Sequence, residues 1–432
     1  MSRILIDLND AELRVARDEQ EITRSPGYAT LVQHTVVVGE QGFAHAWLHP
    51  RHTHSHYWET LNTAPITQLG KRIRHAGDLA FLHLEYLREQ AGRPDRITLI
   101  VPGRYTRTQL SLLLGIAEAA GLTVEGLVDS AVAVGATLPP GHYRHVEALL
   151  HHTVISHLEV NPTAAQRTDT EIIPGTGIAD FETRILDCIV AGFLRDCRFD
   201  ARHDALTEQA LHTQLAGWLV SLADNPEIVL ALNSAGIRHE TRLSRDMVLA
   251  AIAPLTQRLV DCADIESPLL DYRLGRLPGI DAAWPGAIRL PASAALTGVT
   301  HSPDFAYPST GGMTLRTTLA PASRGLCQEL NAPAMPGRGA THLLVGDIAH
   351  PLSRRPLYLT AEGVQRLTAE KTLGAVVRDA AGCRVDPVPG TGLHLNGTPL
   401  AHQMALQPGD RLSFAGAKAS LVIITVAPAD AL

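Results

Sequence analysis

The chain has 432 residues, which is too long for one ordinary hydrophobic core, so we expect two or three domains. Hydrophobic residues make up 45% of it and charged residues 19%, a balance that indicates a folded globular protein. The formal net charge of -7 argues against an electrostatic nucleic-acid binder, and no apolar run approaches transmembrane length. We therefore expect neither a nucleic acid nor a membrane as partner.

The cysteines and the N-terminus bear on the compartment. Five cysteines occur, no two have CxxC spacing, and their odd number favours reduced thiols: Cys188, Cys197, Cys262, Cys327 and Cys383. The sequence begins with the apolar stretch ILIDL and lacks the basic region, apolar run and cleavage site of a signal peptide. Both features predict a cytoplasmic protein.

Strands and helices alternate over the first third of the chain. The patterns predict strands at Arg3–Val15 and Thr35–Gly39, a helix at Asp78–Ala91, a strand at Ile97–Val101, a helix at Thr108–Ala120 capped by Gly121, a strand over 122–128 and a helix at Asp129–Thr137. Pro139, Pro140 and Gly141 end this block. The order is typical of an α/β layer.

A second block opens with His145–Val160, which predicts two strands joined by a tight turn. After a Pro-Gly turn the patterns predict helices from about Ala179 to Leu222 with a break near Phe199–His203, a hairpin over Pro226–Leu243, a helix at Arg245–Ala263 capped by Ser244, a strand at Ala287–Leu290 and a helix opening within Ala292–Val299.

Composition changes over residues 320–340, where Ala, Pro and Gly predominate and predict a linker at 321–340. Beyond it, over 341–432, short strands recur every eight to twelve residues. That spacing is typical of a small all-β sandwich or barrel.

Three segments of the first 320 residues carry a family resemblance: ILIDLNDAELRV (4–15), GLTVEGLVDSAVAVGA (121–136) and the Gly-rich turn with two helices over 174–222. In order, they resemble the first phosphate hairpin, the segment between the two phosphate hairpins, and the Gly-rich turn and helix pair of the seventy-kilodalton heat-shock chaperones. That nucleotide-binding domain belongs to the actin and sugar-kinase superfamily. The resemblance implies a two-lobed actin-like ATPase fold, with lobes at 1–140 and 141–320, and makes ATP and Mg²⁺ possible ligands.

The positions where such a protein would contact nucleotide are altered. Asn9 and Asp10 replace the Gly and Thr that the family has after Asp7, and an acid there repels phosphate unless a metal intervenes. Leu149 to His152 replace the glycines of the second hairpin. The third loop has Pro291, Ala292 and Ser293 where the family has paired glycines. The nucleotide-contacting positions that the resemblance implies are Asp7, Asn9, Asp10, His151, His152, Thr153, Gly175 and Gly177.

Three altered loops predict a weakened or lost nucleotide site. If activity remains, the resemblance makes Asp7, Lys71 and Glu147 the catalytic candidates, with Asp7 holding Mg²⁺ through water and Lys71 approaching a phosphate. The simpler interpretations are that Asp7 forms a turn at a strand end and that Lys71 is a solvated lysine. The chain has no G-x-S-x-G, H-E-x-x-H, Walker A or G-x-G-x-x-G motif.

The histidines suggest a metal site only weakly. His52, His54 and His56 alternate, so on a strand they would share one face and offer imidazoles to zinc or nickel, with Glu59 nearby. With 21 histidines in the chain, clusters arise by chance, and we expect no metal site. His151 and His152 are adjacent and would point to opposite faces of a strand, although a turn would relax that objection.

The tail resembles a forkhead-associated domain in HLLVGDI (342–348), GVQRLTA (363–369), GTGLHLNGTPL (390–400) and LQPGDRLSF (406–414). That fold binds phosphothreonine, and the resemblance makes Arg366 and Asn396 the phosphopeptide-binding candidates. Asp347 stands where the family has a phosphate-binding Arg, which argues against phosphate recognition.

The sequence thus favours a non-catalytic scaffold that binds another protein through a degenerate chaperone-like fold. The alternatives are a weak Mg-ATP-dependent ATPase and a phosphopeptide-binding adaptor that uses the tail.

Overall fold

A computed structural model of the chain divides into two compact units, Met1–Glu329 and Leu330–Leu432. The predicted α/β class is confirmed, since helices accompany several β-sheets. The residues that the structure describes are 3–66, 69, 72–263, 267–278, 280, 284–305, 313–323, 342–345, 348–352, 357–360, 363–365, 372–379, 382–388, 390–395, 398–400, 402–406, 410–414 and 421–424.

The first half of the first unit is built around a five-stranded sheet. Its elements are β1 (Ile4–Asp7), β2 (Leu13–Arg17), β3 (Gln20–Ser25), β4 (Ala29–Val32), β5 (Thr35–Val38), α1 (Gly39–Ala44), a 3₁₀ turn (Pro50–His52), β6 (Thr53–His54), α2 (Tyr57–Thr60), α3 (Ala76–Gln90), β7 (Arg96–Val101), α4 (Arg107–Ala119), β8 (Thr123–Asp129) and α5 (Ser130–Gly135). The sheet order is β3-β2-β1-β7-β8. The strand β2 is antiparallel to both neighbours, while β1, β7 and β8 are parallel. A smaller sheet has the order β5-β4-β6.

Local signals explain the helices of this half. Helix α3 buries Leu79, Leu84 and Leu87 at helical spacing. Helix α4 begins with a capping box: the Gln109 amide donates to Thr106 Oγ1 (3.3 Å) and Gln109 Oε1 accepts from the Thr106 amide (3.0 Å). Gly121 follows α4 with φ of +73°, as predicted for its cap.

The second half repeats the plan. Its elements are β9 (Gly141–Ala148), β10 (His152–Val160), β11 (Ala165–Pro174), α6 (Ile178–Cys197), α7 (Ala205–Asp224), β12 (Glu227–Ser234), β13 (Ile237–Ser244), α8 (Arg245–Ala263), β14 (Leu269–Leu270), α9 (Tyr272–Gly275), β15 (Ile288–Arg289), α10 (Ala294–His301), a 3₁₀ turn (Pro303–Phe305) and β16 (Thr318–Leu319). The sheet order is β15-β14-β9-β10-β11-β16. The strand β10 is antiparallel to β9 and β11, while β9, β14 and β15 are parallel. The hairpins β1-β2 and β9-β10 therefore hold equivalent positions in the two sheets.

The two halves meet where helices α5 and α10 pack against each other through small residues. Helices α5 and α10 pack so closely that a Cβ on Gly298 would collide with the carbonyl oxygen of Ala133. Buried side chains from both sheets, among them Leu5 and Leu158, join the two helices in one cluster. Glycine at 298 is thus a requirement of packing.

Several sequence expectations are corrected here. No strand was expected over β3, β4 or β11, and β11 completes the antiparallel part of the second sheet. The three alternating histidines do not share a strand, so the condition under which they would lie on one face is not met. His52 ends a 3₁₀ turn that Pro50 opens, His54 lies in β6, and His56 precedes α2, so the backbone changes conformation twice between them.

The second unit is antiparallel β throughout its described part. Its strands are β17 (His342–Val345), β18 (Ile348–Pro351), β19 (Leu357–Thr360), β20 (Gly363–Gln365), β21 (Thr372–Asp379), β22 (Gly382–Pro387), β23 (His394–Leu395), β24 (Thr398–Pro399), β25 (Met404–Leu406), β26 (Arg411–Ser413) and β27 (Leu421–Ile424). Two sheets have the orders β18-β17-β27-β26-β23-β24 and β20-β19-β21-β22-β25. Apolar residues of both sheets, such as Leu343 and Val385, form one buried cluster. The phosphopeptide candidates Arg366 and Asn396 lie outside the described residues.

Among the helices that the structure describes, none has the length and apolar character needed to cross a bilayer.

Candidate functional site

The turns that follow β1 and β9 meet and are hydrogen-bonded to each other. Asp10 Oδ1 accepts a hydrogen bond from the backbone N–H of Leu150 (2.8 Å). Asn9 Nδ2 donates to Glu147 Oε1 (3.2 Å) and to the carbonyl oxygen of Ala148 (3.1 Å). All five residues are buried. The two hairpins are therefore joined by their own side chains, without space between them.

Asn9 also sets the shape of the first turn. Its Oδ1 accepts from the Ala11 amide (3.1 Å) and its carbonyl oxygen accepts from the Glu12 amide (3.0 Å), the pattern of an Asx turn. The Asp10 carbonyl oxygen accepts from the amide of Gly27 (2.8 Å). The backbone groups of this turn are thus largely occupied by the protein itself.

The second turn is tight and covered. The Leu149 amide donates to the His152 carbonyl oxygen (2.9 Å), and Leu149 and Leu150 are buried. Gly177 lies against the backbone of Leu150 and His151 so closely that a Cβ there would collide with both.

The residues that flank this turn are also engaged within the protein. Thr153 Oγ1 donates to the Thr176 carbonyl oxygen (2.6 Å). Gly175, exposed at φ of +67°, supplies the left-handed step before α6. Close packing of α6 on the hairpin accounts for Gly177 without a ligand.

A cluster of acids surrounds one buried arginine beside the turns. Asp7 follows from β1, Glu147 from β9 and Asp271 from the end of β14. The Arg273 guanidinium lies 3.3 Å from Asp271 Oδ2 and 3.9 Å from Asp7 Oδ2, and it donates to the Glu12 carbonyl oxygen (2.7 Å). Its side chain is only 8% exposed, so its charge acts almost entirely within this cluster.

Burial controls the ionisation of these acids. It raises the pKa of Asp7 and of Asp271, and Arg273 opposes the rise in both. Burial, together with the negative charge of Asp7, raises the pKa of Glu147 to about 8, although Ser130 Oγ donates to its Oε2 at 2.5 Å. Glu147 therefore holds a proton at neutral pH, while Arg273 offsets the charges of Asp7 and Asp271 and the buried Arg14 also acts on Asp7.

Histidines from two separate stretches of the sequence, His56 and the adjacent His151 and His152, come together at the rim of this site. The His56 ring stacks on the His151 ring with centroids 3.6 Å apart. Glu59 bridges the two stretches, with Oε2 2.7 Å from His56 Nδ1 and Oε1 3.5 Å from His152 Nδ1. His151 lies in the turn and His152 begins β10. The objection that adjacent strand residues point to opposite faces therefore does not apply to them. Even so, the described part of the chain contains no group of three or more His, Cys, Asp or Glu side chains that could hold a metal ion.

A second contact across the halves joins the segment after α1 to α7. Gln209 Nε2 donates to the Phe43 carbonyl oxygen (3.1 Å), and Gln209 Oε1 accepts from the Trp47 amide (3.1 Å). The Trp47 and His212 rings stack with centroids 3.4 Å apart. These contacts hold the halves together beyond the hairpin turns.

The residues present do not fit the ATP and Mg²⁺ that the family resemblance implies. The Leu150 amide, which could face a phosphate oxygen, already bonds to Asp10. Arg273 supplies the positive charge that a metal ion would bring to Asp7. Two acceptor atoms, Asp7 Oδ1 and Asp10 Oδ2, are buried without a hydrogen-bond partner among the described residues, and they are the one feature that favours a cation.

The structure brings together Asp7, Asn9, Asp10, Glu147 and His152, while Lys71 lies outside the described residues. Sequence reasoning missed Asp271, Arg273 and Gln209. A signal existed for Asp271, because an acid directly follows the apolar pair Leu269–Leu270 at the carboxyl end of a parallel strand. Arg273 and Gln209 gave none, since the contacts of Arg273 with Asp7 and Glu12, and those of Gln209 with Phe43 and Trp47, join residues that are far apart in the sequence.

No protein-family model matches this sequence, and no curated protein is significantly similar to it.

Proposed function

We propose that this chain is a degenerate chaperone-like protein that binds another protein and does not turn over nucleotide. The hydrogen bond from the Leu150 amide to Asp10 carries the proposal. Backbone amides at such turns are the donors that hold phosphate oxygens in nucleotide-binding proteins. Here a side-chain carboxylate occupies that donor, and its charge repels an approaching phosphate.

The repeated sheet plan supports the two-lobed actin-like fold, with lobes at 1–140 and 141–320. The sheets agree in strand order and in strand direction over five strands each. The hairpins at equivalent positions face each other, as two phosphate hairpins would. The second sheet starts at Gly141, directly after the proposed lobe boundary.

In the tail, two antiparallel sheets that share one apolar cluster support a forkhead-associated-like sandwich.

Arg273 supports the loss of catalysis. In the proposed ancestor, acids at the ends of β1 and β9 would hold a hydrated metal ion through oxygen ligands. Arg273 instead forms an ion pair with Asp271 and lies near Asp7, and its guanidinium is fixed by the Glu12 carbonyl oxygen. Because the Arg273 guanidinium is part of the chain, the acids have less need of an exchangeable metal ion to offset their charge.

Exposed apolar side chains on α7 and the β12-β13 hairpin support a protein partner. Leu206 is 73% exposed and Ile237 is 60% exposed, and Val220 and Val229 are also more than half exposed. Large apolar groups that face solvent mark protein-interaction sites when they occur together. The negative net charge continues to argue against a nucleic acid.

Calorimetry with Mg-ATP tests the proposal. We expect no binding heat up to millimolar nucleotide. Binding with a Kd below roughly 100 µM, with slow phosphate release that Asp7→Ala abolishes, would contradict it. Asp18→Ala, a turn carboxylate away from the hairpin contact, is the matched control.

The second candidate is a weak Mg²⁺-dependent ATPase, which the unpartnered atoms Asp7 Oδ1 and Asp10 Oδ2 favour. The same titration separates the two candidates, because the ATPase requires both saturable nucleotide binding and dependence on Asp7. A titration with MgCl₂ alone reports whether the two atoms take a cation without nucleotide.

A further inference from the structure

A cavity of about 330 Å³ lies between the segment that carries Tyr28 and Trp47 and the helices α6 and α7. Its walls also include Glu182 from α6, Glu208 and His212 from α7, and Arg202 from the connection between those helices. The carboxyl cluster around Arg273 is not part of its lining. The cavity therefore has its own lining, although it adjoins the hairpin contact through the packing of Tyr28 with Leu150.

Glu182 is a carboxyl group without a partner. It lines the cavity and makes no hydrogen bond or ion pair with any residue that the structure describes. Glu182 is partly exposed, and a carboxylate in such a position gains from a positively charged partner. Burial raises the pKa of Glu182 to about 7, so the carboxyl group ionises over the neutral pH range. Its negative charge also adds to burial in raising the pKa of Tyr28.

Aromatic faces form the opposite wall. Tyr28 and Trp47 lie with ring centroids 5.8 Å apart, and Phe43 packs edge-on against both at 5.2 Å. Electron-rich ring faces attract cations, best in surroundings with little water. His212 stacks on one face of Trp47 with centroids 3.4 Å apart, so only the opposite face of Trp47 can contact a ligand.

The positive groups nearby are already accounted for. Arg202 Nη1 lies 2.7 Å from Asp187 Oδ1, which offsets part of its charge, and the remaining charge helps to lower the pKa of His212. Burial lowers the pKa of His212 to about 3, and the ring is neutral and stacked on Trp47. Among the described lining residues, Arg202 is paired with Asp187, and the charged groups without such a pair are the carboxylates of Glu182 and Glu208.

We propose that this cavity binds an organic ammonium group between the aromatic faces of Tyr28 and Trp47 and the carboxylates of Glu182 and Glu208. A cation would gain cation–π attraction on one side and charge-assisted contacts on the other. Phosphates and carboxylic acids are disfavoured, because two like charges face them. The ammonium group comes either from a free small amine or from a lysine side chain of a protein partner.

Choline and its uncharged carbon analogue 3,3-dimethylbutan-1-ol are the probes for the charge itself. Titration of the full chain, followed by calorimetry and by ligand-observed NMR, should show choline binding at least tenfold tighter than the analogue. Nα-acetyl-lysine amide probes the second source. Binding of choline alone assigns a free amine, binding of the lysine probe assigns a partner side chain, and equal binding of choline and its analogue, or no binding of either cation, overturns the proposal.

Two variants locate the site. Glu182→Gln and Glu208→Gln should each weaken binding of the cationic probe about tenfold or more, whereas Glu85→Gln, at an exposed position on α3, should not. Circular dichroism confirms that each variant folds. The two glutamates belong to different helices, so one unstable variant does not decide the result. Unchanged affinity in both folded variants contradicts the assignment.

The pH profile provides a readout that a merely structural role would not move. Binding should strengthen from pH 6 to 8 as Glu182 ionises, and this rise should vanish in Glu182→Gln. Tyr28 and His212 stay neutral over that range, because the pKa of Tyr28 is raised and that of His212 is about 3. A pH rise that persists in Glu182→Gln would assign the effect to another group and contradict the role of Glu182.

Discussion

The guanidinium of Arg273 lies 3.9 Å from the carboxylate of Asp7, although the two residues belong to different halves of the first unit. Asp7 ends the central strand of the first sheet, and Arg273 follows the strand that pairs with the centre of the second. The buried guanidinium of Arg273 thus links the carboxyl ends of the parallel strands in the two sheets.

Removal of that cation should destabilise the fold strongly. Arg273→Met leaves Asp271 buried without its ion-pair partner and Asp7 with Arg14 alone, and we expect a loss of about 3–5 kcal/mol in the free energy of unfolding. Urea denaturation measures it. Arg276→Met, at an exposed position on the end of the same helix, should change stability by less than about 0.5 kcal/mol. A loss below about 1 kcal/mol for Arg273→Met would show that the acids do not depend on it.

Truncation of Asp10 tests the contact between the hairpins. Asp10→Ala leaves the buried Leu150 amide without an acceptor, which should cost about 1–3 kcal/mol. Asp10→Asn keeps an oxygen at that position and should recover most of the loss. Thermal unfolding compares the three proteins. If Asn is no better than Ala, the hydrogen bond does not contribute to stability.

The protonated state of Glu147 makes stability depend on pH. Its pKa is about 8 in the folded chain and about 4.3 in an unfolded one, so the folded state holds the extra proton between those values. The associated stability is complete below the unfolded pKa and is lost as pH rises through the folded pKa, at up to about 1.4 kcal/mol per pH unit.

Glu147→Gln should remove that dependence. The variant should gain stability relative to the original chain as pH increases from 5 to 8, and unfolding curves at several pH values measure the difference. Glu159→Gln, at an exposed position on β10, is the control. Parallel stability profiles for the Glu147→Gln variant and the original chain would contradict a raised pKa.

The crossing of α5 and α10 predicts opposite effects for two Gly-to-Ala changes. Gly298→Ala places a methyl group against the Ala133 carbonyl and should cost about 1–3 kcal/mol. Gly217→Ala, inside α7 with nothing within 4 Å of the new atom, should stabilise by about 0.5–1 kcal/mol. The denaturant midpoints of the two variants measure both changes in stability. Equal effects would mean that helix propensity, and not the helix crossing, governs both positions.

Elements with strong local signals were predictable from sequence. The break between α6 and α7 and the turn at Ser234-Ala235-Gly236 appear where expected, and positive φ at Ala235 and Gly236 gives the turn its hairpin geometry. Ser244 Oγ accepts from the Met247 amide (3.2 Å) at the predicted start of α8. Capping and turn chemistry act within a few residues, so a single sequence reveals them.

Elements that depend on distant partners were not predictable. The strand β11 reads AQRTDTEIIP, with no apolar alternation, and exists because its backbone pairs with β10. The candidate site shows the same division: the altered turn residues were visible in the sequence, whereas the Asp10–Leu150 bond and the role of Arg273 were not. A contact between residues 140 positions apart has no local pattern.

The two bonds of Gln209 that cross between the halves involve only main-chain atoms of Phe43 and Trp47, so side-chain replacement at either position leaves both acceptor and donor in place. Neither bond depends on a bound nucleotide. If the chain binds a partner protein as proposed, release of that partner would follow its abundance and off-rate, and the ratio of ATP to ADP in the cell would not control it.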